Sequence, residues 1–127
     1  MTIPRILVAG ALLAVVLAAC SDGGSAASAS LPPGADLTVT AEGNAFDQPK
    51  ITLTAGGATT VFFRNLDGAP HNIAIYPDDS ASVPLFVGET ITDDAVTYKI
   101  PTLEPGEHFF RCDVHPRMAG VVVVEEA

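Results

Sequence analysis

The sequence predicts an all-β fold, a Greek-key β-sandwich of seven or eight short antiparallel strands over residues 36–127. Three observations lead there. From Asp36 onward no apolar run keeps a helical period. Short strand-like runs recur between turn signals rich in Gly, Pro, Asn and Asp. Roughly 90 residues divided in this way match the spacing of strands and turns in a β-sandwich.

The elements follow in order. Residues 37–41 (LTVTA) alternate. Residues 50–54 (KITLT) put Ile51 and Leu53 on one face, and residues 59–64 (TTVFFR) follow Gly56 and Gly57. Residues 71–76 (HNIAIY) come after the turn NLDGAP and set Ile73 and Ile75 together. A short piece near residues 85–87 adds an edge. Residues 95–100 (AVTYKI) precede the turn PTLEPG, and residues 107–112 (EHFFRC) and 120–125 (GVVVVE) close the chain. The run Val121 to Val124 is expected either buried on both sides or central in a sheet. No internal repeat stands out.

Length and composition set the class. The 127 residues leave room for one compact domain, and 48% hydrophobic content supplies a core. Fifteen acidic residues against six basic ones give a net charge of −9. That balance argues against nucleic-acid binding and against adhesion to anionic headgroups, both of which need basic surface. It suits a basic protein partner, because opposite fields steer encounter. It also serves solubility alone.

The N-terminus is read as an address. Arg5 precedes an unbroken apolar run over residues 6–19, shorter than the ~20 residues a bilayer-spanning helix needs, and this fits a secretory signal. The run ends in Leu17, Ala18, Ala19 and Cys20. This resembles the bacterial lipobox, which implies cleavage before Cys20 and lipidation of its sulfur. Cleavage removes Arg5, one of the six basic residues, and takes the net charge from −9 to −10. Residues 21–35 are Ser, Gly, Ala and Pro apart from Asp22 and Leu31, with almost nothing to bury, a flexible tether with a span of ~20 Å. The domains expected are a signal at 1–19, a lipidated Cys20 and tether at 20–35, and a β-domain at 36–127. The protein is then exported and anchored to the outer face of the cytoplasmic membrane, or to the periplasmic side of an outer membrane.

With Cys20 lipidated, Cys112 is an odd thiol in an exported protein and needs a protector or a job. Its neighbours supply one. Cys112, His115 and Met118 follow the spacing C-x-x-H-x-x-M, and His71 opens a strand upstream. Two imidazoles, one thiolate and one weak thioether form the ligand set of blue-copper electron-transfer sites. The seven residues between Cys112 and Gly120 make a tight loop, and a sandwich gathers its loops at its ends, so His71 can arrive from a neighbouring loop. Cys112 binds as thiolate, His71 and His115 as neutral imidazoles, and Met118 as a long axial contact that tunes the potential. Zinc accepts Cys and His too. The thioether of Met118 tilts the choice to copper.

Residues 36–127 resemble the cupredoxin family, which includes plastocyanin, amicyanin, pseudoazurin and halocyanin. Pro70, His71 and Asn72 match the family's first His before Asn. Gly106, Phe110 and Cys112 match its G-x-Y-x-F-x-C strand. The short ligand loop, with Pro116 directly after the His, is nearest to amicyanin. His108, where Tyr is common, and residues 77–92 depart from the pattern. The resemblance implies a cupredoxin-like sandwich, one copper ion cycling between Cu(I) and Cu(II), and a single-electron carrier rather than an enzyme. It implies that Asn72 holds the two ligand loops together by hydrogen bonds, with Phe110 and Pro116 also beside the ligands. It implies that the His115 end faces a redox partner, such as a c-type cytochrome or a terminal oxidase domain. A monomer is expected.

Other features have plainer readings. His108 lies four residues before Cys112 on one strand, ~13 Å away, too far to share its metal. Tyr76 and Tyr98 read as packing. The acidic pairs Asp78–Asp79 and Asp93–Asp94 read as solvated turns. No Ser-His-Asp arrangement or phosphate-cradling loop is present. The alternative function is a copper-handling lipoprotein that buffers or delivers the ion. Such proteins use Met- or His-rich segments, and this chain has 2 Met and 3 His.

Overall fold

A computed structural model describes residues 31–127. The signal, Cys20 and most of the tether lie outside the described residues. The last residues of the tether close a type II turn, with the Ala35 N–H donating to Pro32 O at 3.0 Å and Gly34 supplying the φ of +85°.

Nine strands form. They are β1 (Leu37–Glu42), β2 (Ala45–Phe46), β3 (Lys50–Thr54), β4 (Thr59–Asn65), β5 (Ala74–Tyr76), β6 (Phe86–Val87), β7 (Asp94–Ile100), β8 (Gly106–Arg111) and β9 (Ala119–Glu125). They make two sheets, β2-β1-β4-β7 and β3-β9-β8-β5-β6. Among the described residues there is no helix.

The all-β sandwich is as expected; its strand directions are mixed rather than antiparallel throughout. β1 runs parallel to β4, pairing Val39 with Phe63, and β3 runs parallel to β9, pairing Leu53 with Val124. Side-chain alternation has the same period whichever way a neighbour runs, so the pattern carries no direction. The ninth strand, β2, is two residues long and too short for a pattern. It exists because Gly43 and Asn44, at φ of +63° and +56°, form the tight loop that folds it back onto β1.

The core lies between the sheets. Val39, Val61, Phe63, Tyr98 and Ile100 come from one sheet, and Ile51, Leu53, Ile75, Phe110, Val122 and Val124 from the other. Each such side chain contributes roughly 1.5–3 kcal/mol by leaving water. Phe63 stacks on Tyr98 at 5.5 Å, and Phe46 bridges the sheets by packing 4.9 Å from Phe110. In β9 only Val122 and Val124 are buried, while Val121 is exposed, so the valine run marks a central strand with two unlike faces.

Several strand ends shift by one residue from expectation, and two differences bear on the site. Residues 71–73 do not join β5. His71 instead pairs with Ile91 in an isolated bridge, and the Gly88 N–H donates to Ile73 O at 2.8 Å. A Cβ on Gly88 would meet the Tyr98 ring at 2.5 Å, so only glycine lets that segment close over the core. β8 stops at Arg111, which leaves Cys112 as the first loop residue.

Candidate metal centre

His71 is delivered by a wired turn. Asn65, at the end of β4, is buried, and its amide donates to Ala69 O and Ile91 O, both at 2.8 Å. Its Oδ1 accepts the Asp67 N–H at 2.9 Å. The His71 main chain then exchanges two bonds with Ile91, at 2.9 and 3.0 Å. These bonds hold His71 fully buried at the end of the sandwich.

Cys112 and His115 come from the loop between β8 and β9. The Cys112 N–H donates to Met118 O, and the Met118 N–H donates to His115 O, each at 2.8 Å. The first bond pins the loop's ends together and the second folds its interior, so three side chains emerge from one small ring of backbone.

The three donors converge. Cys112 Sγ lies 3.6 Å from His71 Nδ1 and 3.9 Å from His115 Nδ1. The donor atoms of all three residues lie within 4.8 Å of one another. The two imidazole rings are 4.7 Å apart at 57°. The sulfur–nitrogen separations are shorter than the sum of a metal–nitrogen bond of ~2.0 Å and a metal–sulfur bond of ~2.3 Å, so one ion can touch sulfur and either nitrogen. Met118 is buried in the same apolar cluster as Cys112. A thiolate with two imidazoles is a donor set for copper or zinc, and a neighbouring thioether suits copper.

Access is one-sided. His71 and Cys112 are fully buried, whereas His115 is half-buried and lines a shallow hollow with Asn44, Val114, Pro116, Arg117 and Met118. Val114 is exposed in that rim. Phe110 is fully buried behind the loop, and Pro116 is exposed.

Around the donors, the partners of Asn72 and the parts played by Asp113, Arg111 and Asp67 were not visible in the sequence. Asn72 Oδ1 accepts the Asp113 N–H at 2.9 Å, and its amide donates to Gly88 O at 3.1 Å. Asp113 in turn accepts from the Tyr76 hydroxyl at 2.6 Å and from Arg111 Nε at 3.0 Å, and the Arg111 guanidinium lies 5.0 Å over the Tyr76 ring. The bond to Asp113, then burial, pushes the Tyr76 hydroxyl above its ordinary pKa, and the same carboxylate pushes Arg111 up. Asp67 bonds His71 Nε2 at 2.8 Å. Backbone N–H groups of Asn44 and Gly43 hold its carboxyl below the usual range against the opposing effect of burial, with a lesser contribution from the His71 side chain. Asp67 reads in the sequence as one residue of a turn; its signal, a carboxylate four residues before a histidine across a Gly-containing turn, is common to many turns.

His108 stands apart from this cluster. Its Nε2 donates to Glu104 O at 2.8 Å, and it borders a hollow with Pro77, Asp78, Asp79, Glu107, Phe109 and Val121. Asp78 accepts the Ser80 N–H within a turn, and Asp94, the first residue of β7, accepts the Ala95 N–H.

Known proteins are similar to this chain in sequence and in shape. The family described as the cupredoxin-like domain matches residues 10–124. Amicyanin of Paracoccus versutus is 36% identical over 77 residues, which cover 61% of this chain and 55% of that protein, so the chain spans little more than half the length of this relative. The crystal structure of the same amicyanin superposes with a TM-score of 0.57 at 33% identity, covering 76% of this chain and 86% of that one. Dithionite-reduced auracyanin from the photosynthetic bacterium Roseiflexus castenholzii superposes with a TM-score of 0.61 at 20% identity, covering 70% and 95%, and shares the fold.

Proposed function

Because the chain belongs to the cupredoxin family, we propose that it carries single electrons on one copper ion held by His71, Cys112, His115 and Met118. The observation that carries this reading is the convergence of Cys112 Sγ on two Nδ1 atoms at 3.6 and 3.9 Å. Bound copper supplies a one-electron Cu(II)/Cu(I) couple. The residues supply the rest. Cys112 offers a thiolate that the ion itself helps to deprotonate. His71 and His115 offer neutral nitrogens. The hydrogen bonds that hold both ligand loops limit how far these donors move when the charge of the site changes, which keeps transfer fast. His115 is half-buried beside an apolar hollow, so it is the donor through which a docked partner is reached.

We extend the proposal to the rest of the chain. Residues 1–19 act as an export signal, Cys20 carries lipid, and residues 20–35 tether a domain of residues 36–127 to the outer face of a membrane. There it meets redox proteins; the acidic balance suits basic ones, such as a c-type cytochrome or a terminal oxidase domain. Cys20→Ala should release the protein from the membrane fraction, and a variant that stays bound would remove the anchor.

The test of the central reading is the visible spectrum of the protein after Cu(II) addition, before and after ascorbate. An intense blue band that bleaches on reduction and is absent from Cys112→Ser is the expected result. A pale site would favour copper handling instead, and a blue band retained in Cys112→Ser would sink the ligand assignment.

A further inference from the structure

The two ring nitrogens of His71 face different partners. Nδ1 lies 3.6 Å from Cys112 Sγ, and Nε2 lies 2.8 Å from Asp67 Oδ2. An ionised carboxylate only accepts, so Nε2 carries the proton and the lone pair of the neutral ring sits on Nδ1. The carboxylate is itself held from behind. The Gly43 N–H donates to Oδ1 at 2.8 Å and the Asn44 N–H to Oδ2 at 3.0 Å. Both belong to the left-handed turn between β1 and β2, and a turn that aims successive N–H groups one way makes a concavity for an anion. The Asp67 N–H is tied to Asn65 Oδ1, so main chain and side chain are both fixed. The result is a negative charge, 17% exposed, held against a fully buried imidazole.

We propose that Asp67 is the positioning residue of this centre: it selects the His71 tautomer, aims Nδ1 at the ion, and favours Cu(II) over Cu(I) through its charge. The inference rests on the copper reading above. Outer partners of ligating histidines set ring orientation and ligand basicity in this way. A negative charge close to the site stabilises the more positive oxidation state, so it lowers the reduction potential. The plainer role for Asp67 is to fasten the β1–β2 turn, which predicts a loss of stability and nothing at the metal.

Two variants separate these roles. Asp67→Asn keeps an oxygen that accepts from Nε2 but removes the charge; Asp67→Ala removes both. Nitrogen-15 NMR of the metal-free protein at about pH 8 should show His71 protonated at Nε2 in the native chain and in Asp67→Asn, and a mixture of tautomers in Asp67→Ala. In the copper-loaded protein, Asp67→Asn should lose about tenfold in preference for Cu(II) over Cu(I), a rise of ~59 mV in potential. Asp67→Ala should lose 10- to 100-fold in Cu(II) affinity, a range of about one to two decades. His71 held wholly as the Nε2–H tautomer in Asp67→Ala, or an unchanged potential in Asp67→Asn, would overturn the proposal. If Asp67→Ala fails to fold, the Asp67→Asn potential decides. If the native chain never turns blue, the copper reading fails and the claim on the potential falls with it, while the tautomer measurement still decides whether Asp67 orients His71.

Discussion

The N–H of Asp113 donates a 2.9 Å hydrogen bond to Asn72 Oδ1, across 41 residues of sequence. Asn72 follows His71 and Asp113 follows Cys112, so this one bond sets the separation of the two loops that carry the donors. The Asn72 amide, bonded to Gly88 O, keeps the side chain in place.

Asn72→Ala should therefore act on both stability and metal. It strands the Asp113 N–H and the Gly88 carbonyl near the protein interior, which costs about 1–3 kcal/mol. Copper affinity should fall 10- to 100-fold, about what losing a supporting partner costs a metal site. Thermal unfolding with and without copper checks both. A variant that loses stability equally in the two states would confine Asn72 to the fold.

Met118→Leu should keep the blue colour and raise the potential. Cu(II) gains more from a fourth donor than Cu(I) does, so deleting the thioether costs the oxidised state more. The rise should reach at least the ~59 mV of a tenfold change in relative affinity. Cyclic voltammetry gives the number, and an unchanged potential would make Met118 a packing residue.

Gly120→Ala should destabilise the domain at the root of the ligand loop. A Cβ there would meet Phe110 at 2.5 Å and crowd Pro49 O. Relief requires the Phe110 ring or the β3 entry to shift, at about 1–3 kcal/mol. Each kcal/mol lowers the melting temperature by roughly 4–8 °C in a domain of this size.

Alkaline pH should weaken the fold through its tyrosines. Burial pushes the Tyr98 hydroxyl well above its ordinary pKa of 10.0, and Tyr76 is raised first by its bond to Asp113. A tyrosine raised in the native state contributes its full stabilisation below the unfolded value and loses it as pH climbs towards the native one. Urea midpoints should fall as pH rises above ~10. Tyr98→Phe should start lower, having lost its bond to Glu89 O, and fall less steeply. Equal slopes in both proteins would assign the loss to other groups.

The fold class was legible because alternation survives without context. Ile51 and Leu53, or Val122 and Val124, are buried in pairs two residues apart, and that period is written locally. The parallel pairing of β1 with β4 and of β3 with β9 was not, since backbone direction leaves no mark on side-chain order. The end of β5 was missed for a related reason: residues 71–76 are all buried, but only Ala74–Tyr76 have ladder partners, and the partner of His71 is Ile91.

By itself the sequence determined the donor chemistry of the ligand loop and the period that makes a sandwich, because residue types and short spacings are local properties. Cys112, His115 and Met118 lie within one seven-residue stretch, where a tight loop leaves few ways to point apart. Only the tertiary structure decided that His71 Nδ1 reaches Cys112 Sγ, that Asp67 holds the other nitrogen of that ring, and that the partners of Asn72 are the Asp113 N–H and Gly88 O. Those contacts join residues from different loops, or the two nitrogens of one ring. They depend on crossing connections and on which nitrogen of a ring faces inward, and burial and hydrogen bonding of the whole domain set both.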